Sequence, residues 1–187
     1  MAVYIFRTLT TLLAKGDIDL ADARVDASTI AHDDATHAAF TYGVFRACLI
    51  QPSSTLIASN STNTGSVQSV DVTHCGGFTT LNELSVGGYT PMASGDEGDN
   101  KFTTTTLEYV AGPAGYVKWT PPAMTISDLA AGQDINGVLL VWDQVSNSNT
   151  MSTKIPLMWI GLTDDISTNG GNVAITWPAT GMLRVQG

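Results

Sequence analysis

The sequence predicts an all-β chain for the most part: an antiparallel β-sandwich, jelly-roll-like, folded as a single domain with a short N-terminal helix and a long polar arm. Three observations predict the β architecture. The first is the stretch from Tyr116 to Val185, which reads YVKWTPPAMTIS, NGVLLVWDQ, KIPLMWIGL and NVAITWPATGMLRV and contains all four tryptophans, Trp119, Trp142, Trp159 and Trp177. Each run is short, β-rich and bounded by Gly, Pro, Asn or Asp, the composition of strands separated by turns. The second is alternation. Val117 and Trp119 alternate with Tyr116 and Lys118, Met124 and Ile126 with Thr125 and Ser127, and Val173, Ile175 and Trp177 with Asn172, Ala174 and Thr176. Side chains on a strand point to opposite faces in turn, so this pattern describes half-buried strands. The third is Val138 to Trp142, which has no polar member and suits a strand covered on both faces. The core is expected to come mainly from the second half of the chain.

Taken in order, Ile5, Leu9, Leu12 and Leu13 fall on one helical face, and Gly16 after Lys15 is a stop signal, so residues 1–16 are expected to hold the N-terminal helix. The segment DIDLADARVDASTIAHDDATHAAF is acidic, Ala-rich and weakly periodic, and reads as loop. TYGVFRACLIQ returns to strand character. Residues 52–73 are almost all Ser, Thr, Asn, Val and Gly; a polar stretch of this length is uncommon inside a compact domain and reads as an extended arm. Leu81 to Leu84 is expected to form a helical turn before the bend GGYTP, Lys101 to Val110 a Thr-rich strand, and SGDEGDN, AAGQDING, SNSNTMST and DDISTNGGN the surface loops and turns.

Composition narrows the functional classes. The 187 residues fit one domain at about 100–200 residues each. The net charge is -9 with only 8 Lys+Arg, which excludes an electrostatic grip on nucleic acid or on an anionic membrane. Only 13% of residues are charged, so much of the surface is Thr, Ser, Asn, Gly and Ala. Such a surface costs little to desolvate and is compatible with close contact to other protein. No apolar run approaches the ~20 residues of a membrane helix. The N-terminal stretch has no basic region ahead of its apolar part and no small-residue cleavage site, so it does not read as a secretory leader. Without a sign of secretion, Cys48 and Cys75 read as free thiols.

Five blocks occur in a fixed order: Leu12–Leu20 with GDIDL, Glu83–Thr90 with ELSVGGYT, Trp119–Ile126, Val138–Asp143, and Val173–Leu183 with ITWPATGML. This order resembles a family of small bacteriophage virion proteins. Their pattern is a leading helix with GDIDL, a strand, an ELxGxGYT turn, W…A…I and AV…D strands, a hydrophobic strand, and a closing TIxWxxTGIL. The match covers most of the chain outside residues 21–40, 52–77 and 91–100. It departs from the pattern in the stretch from Ala21 to Phe40, inserted where the family's first strand follows GDIDL almost at once, and in the longer Ser/Thr arm. The resemblance implies a structural component of a tailed-phage particle. The favoured form is a capsid decoration or cement protein on the head surface of the virion, bound to the major capsid protein and to neighbouring copies of itself as a homo-oligomer. Residues 4–15 and the arm 52–73 are the candidate contact elements. A tail, neck or head-fibre protein touching a host glycan is the alternative, and a β-sandwich hydrolase is a third reading.

No catalytic, cofactor-binding or metal-binding residue is expected. His32, Asp33, Asp34 and His37 form the densest polar cluster, but its two histidines lack the i, i+4 spacing of a helical metal pair. Asp96, Glu97 and Asp99, and Asp164 and Asp165 near Asn169, read as acidic turns, since neither run has the EF-hand spacing. His74 and Cys75 are adjacent, which turns their side chains apart on a strand and leaves the thiol without a base. No G-x-S-x-G elbow, dinucleotide fingerprint or P-loop is present. The tryptophans alternate with polar residues in the register of a core and are read as core rather than as a sugar platform.

Overall fold

The computed structural model describes residues 2–15, 18–21, 24–25, 41–54, 74–78, 80–91, 101–102, 105–111, 116–144, 154–179 and 181–186. In chain order the elements are β1 (Ala2–Ile5), α1 (Arg7–Lys15), β2 (Ile18–Asp19), β3 (Arg24–Val25), β4 (Thr41–Ile50) and a 3-10 turn at Cys75–Gly77. They continue with β5 (Lys101–Phe102), β6 (Thr106–Val110), β7 (Tyr116–Thr120), β8 (Met124–Ile126), β9 (Asp134–Gln144), β10 (Lys154–Ser167), β11 (Val173–Ile175) and β12 (Leu183–Gln186). Among the described residues the architecture is mainly β and antiparallel with one short α-helix, as the sequence predicts.

The main sheet runs β1-β10-β9-β4-β3-β2, with β5 also paired to β4; β8 and β11 form a two-stranded sheet, and β6, β7 and β12 a three-stranded one. Every pairing is antiparallel. β9 lies between β4 and β10, and Gly137 to Asp143 are buried without interruption, which explains the fully apolar run there. Gly137 is required by packing: a Cβ on it would lie 2.3 Å from the ring of Trp159 on β10. The face carrying Phe45, Ala47, Leu49, Val138, Leu140 and Trp142 belongs to the larger core, which the two small sheets complete through Trp119, Met124, Ile126, Ile175 and Leu183. Trp119 meets Phe45 edge-on at 5.5 Å between ring centroids. The opposite face, with Cys48, Ile50, Leu139, Val141 and Trp159, packs on Phe6, Cys75, Phe78 and Leu81.

Four expectations need correction. The helix spans Arg7–Lys15, and Ala2–Ile5 is instead a strand, because β10 offers an open edge: Ala2 pairs with Gly161 and Ile5 with Met158. The Phe6 N–H then donates to the carbonyl of Leu157 (3.0 Å), the residue bulged between Pro156 and Met158, and the chain turns into the helix. Leu81–Leu84 is not helical: Leu84 N–H donates to Leu49 O (2.8 Å) and Glu83 bridges Ile50. The Thr-rich strand divides into β5 and β6, which serve different sheets. The first half of the chain also contributes more core than expected, through β4 at the sheet centre and the buried Leu9 and Leu12 of α1.

Candidate functional site

His32, Asp33, Asp34, His37, Asp96, Glu97 and Asp99 lie outside the described residues, as do residues 55–73 of the arm. Asp164 and Asp165 sit exposed on the outer half of β10, where Asp165 accepts a hydrogen bond from the Asn136 amide (2.6 Å). Asn169 serves its own turn by accepting from Gly171 N–H (3.1 Å). Among the described residues no three His, Cys, Asp or Glu side chains converge as a metal site requires. Trp119, Trp142 and Trp159 are buried. The half-buried Trp177 donates its indole N–H to Pro122 O (2.6 Å), whereas those of Trp119 and Trp159 find no acceptor among the described residues.

The helix expected to contact a partner has its apolar side in the core, with Thr10, Thr11 and Ala14 exposed. An exposed apolar surface lies elsewhere, on the hairpin β6–β7. Tyr109 is 68% and Val117 39% exposed, and Leu107 46%. Tyr109 pairs with Val117 and Leu107 with Trp119, so these residues share one face of the hairpin. Trp119 anchors that face in the core, and Tyr109 and Val117 stand clear of it. Val117 is thus in the register of Trp119 but outside the core, a distinction that alternation cannot make.

Three charges missed by sequence reasoning meet beneath the other face of the main sheet. Asp143 on β9 accepts from Arg46 Nε on β4 and from Lys154 Nζ on β10, each at 2.8 Å, and all three side chains are fully buried. The middle strand therefore holds both neighbours through one carboxylate. Removing charges from water costs several kcal/mol per ion, so the arrangement stands only because the carboxylate is doubly paired. Its sequence signal is a charge at the middle or end of a run that is otherwise apolar: TYGVFRACLI, NGVLLVWDQ and KIPLMWIGL.

Cys48 and Cys75 share this face, both free and both buried. Burial first, and the Glu83 carboxylate second, push both thiols well above their ordinary range. A thiol held protonated is a poor nucleophile, so the pair is suited to packing. Glu83 also accepts from the Tyr89 hydroxyl (2.5 Å), which itself accepts from the Leu49 N–H at the edge of β4 (3.0 Å). Burial, then Glu83, hold that phenol well above its ordinary range too. Gly88 before it has φ +84, and a Cβ there would lie 2.3 Å from Asp128 O. The block ELSVGGYT is thus a structural clasp: the glycine permits the turn, and the tyrosine fastens it to the sheet.

A cavity of about 400 Å³ opens between the central sheet and the β8–β11 sheet. Leu49, Val138 and Ile160 line it on the sheet side, and Ile175, Trp177 and Met182 on the other. Compared with known proteins, the chain matches no family model, no curated protein and no solved structure.

Proposed function

We propose that the protein is a non-enzymatic structural component of a bacteriophage virion, a capsid decoration or cement protein that binds the outer surface of the head. The observation carrying this reading is the ordered set of five sequence blocks. Leu20, Tyr89, Trp119, Ile126, Val138 and Ile175, drawn from all five, are buried, so each block supplies core to this fold, which supports reading the set as a fold signature. The weakly charged composition, 13% Asp, Glu, Lys and Arg, supports a surface made for contact with protein. In this reading each copy bridges neighbouring capsid subunits, and burial of apolar area contributes about 25 cal/mol per Å² before ordering costs. The β6–β7 face with Leu107, Tyr109 and Val117 replaces α1 as the contact element, because it leaves three apolar side chains together in water.

The test is quantitative protein analysis of purified virions, combined with rebinding of purified protein to heads stripped of it. A head protein is expected in a copy number comparable with that of the major capsid protein. Tyr109→Asp is expected to leave the fold and melting temperature intact while lowering head occupancy at least tenfold. A few copies per particle would move the assignment to the tail, neck or head fibres, and absence from assembled particles overturns it.

A further inference from the structure

The apolar cavity takes no part in the contact surface assigned above, and a distortion of β10 shapes it. Gly161 pairs with Gly137 and Ile166 with Ile135, so residues 162–165 stand opposite Asn136 alone. β10 arches away from β9 there, and the Asn136–Asp165 hydrogen bond (2.6 Å) ties the arch down. Bulges of this kind recur beside binding sites, where they re-aim side chains. Here the arch sets Leu162 and Ile166 along the wall of the cavity, and Ile166, 46% exposed, reaches its mouth. Among the described residues that line the space none is charged, and Thr176 is the one with a hydroxyl, so these walls would not replace the hydration that a charged guest loses. An apolar cavity of about 150 Å³ accommodates benzene; the roughly 400 Å³ here accommodates two or three rings, more than one side chain of a neighbouring protein would fill. Trp177 is held in place by its bond to Pro122 O (2.6 Å) and presents an aromatic surface to such a guest.

We propose that this cavity binds a neutral, hydrocarbon-like small molecule of two to three rings or an aliphatic chain of equal volume. The test uses the full chain and the neutral fluorophore N-phenyl-1-naphthylamine. A saturable, single-site rise in fluorescence is expected, with energy transfer from tryptophan. An anionic naphthalenesulfonate of similar size is expected to bind at least tenfold more weakly. Ile166→Trp, which fills the mouth from an already exposed position, is expected to weaken the neutral probe at least tenfold with an unchanged circular dichroism spectrum; Val173→Phe, from the opposite wall, provides the same readout should the first variant misfold. Non-saturable binding, equal affinity for the anionic probe, or undiminished binding in a folded variant overturns the proposal. So does dissociation of a self-associated form by the probe, which would identify the cavity as a socket for another copy of the chain. None of these readouts involves phage particles, so failure here is distinct from failure of the decoration assignment.

Discussion

The two faces of the central sheet are built from the same three strands in opposite register, and they solve burial in different ways. Phe45, Leu49, Val138, Leu140 and Trp142 give one face an apolar core, and a cavity opens at the end of that face. Arg46, Cys48, Asp143, Lys154 and Trp159 give the other face a charged seam set among thiols and aromatics. Apolar packing is non-directional and tolerates repacking so long as volume is kept. A doubly paired carboxylate is directional, and a one-residue slip of β9 would turn it to the wrong face. The charged face therefore fixes the register that the apolar face needs but cannot itself impose.

Asp143→Ala tests that contrast most severely. It leaves two buried cations facing each other, and a loss of about 3–5 kcal/mol is expected, measured by denaturant unfolding. Leu140→Ala, on the opposite face of the same strand, is expected to cost roughly 2–5 kcal/mol through its cavity alone. The difference between the faces appears on repair. Replacing Arg46, Asp143 and Lys154 together by Met, Leu and Met is expected to restore most of the stability, because the seam's net contribution is small beside the penalty for breaking it. If the triple variant stays as unstable as Asp143→Ala, the seam stabilises the fold in its own right and the register argument fails.

The clasp at the edge of β4 is the next target. Tyr89→Phe removes the hydroxyl that accepts from Leu49 N–H and donates to Glu83, leaving a buried backbone donor unsatisfied at a cost of about 1–3 kcal/mol. The loss is expected in the melting temperature, with faster amide exchange at Leu49 and Leu84 and slow exchange retained in β9. Uniform loosening of all three strands would mean that the clasp is no local unit.

These contrasts also explain what the sequence could disclose. The β character of the second half was legible because Met124, Ile126, Ile175 and the run 138–142 carry period-two or continuous apolar signals. The strand nature of Ala2–Ile5 was hidden, because its residues fit a helical spacing equally well and the deciding factor, the open edge of β10, lies more than a hundred residues away. The charged seam was hidden for a similar reason: Arg46 lies 97 residues from Asp143 and reaches it and Lys154 only through the pairing of β4 with β9. The cavity depends on the arch at residues 162–165, and no local pattern announces it. Of the elements proposed for contact, α1 could be judged only once its neighbours were known.

The smallest effect separates the faces by pH. The thiols of Cys48 and Cys75 and the phenol of Tyr89 are all raised in the folded protein, chiefly by burial. Their stabilising contribution is therefore complete below the unfolded thiol value of about 8.5. As pH rises above it, the unfolded chain releases protons that the folded chain retains, and stability falls, each thiol adding a slope that approaches ~1.4 kcal/mol per pH unit. Leu140→Ala removes no titratable group, so it is expected to lower the alkaline melting curve without changing its slope. Cys48→Ala is expected to make the decline above about pH 9 shallower by up to one proton. Melting temperatures of the parent and both variants across alkaline pH measure this. Parallel curves for the parent and Cys48→Ala would show that the thiol is not buried against ionisation, and that the charged face is wetter than its side chains' full burial implies.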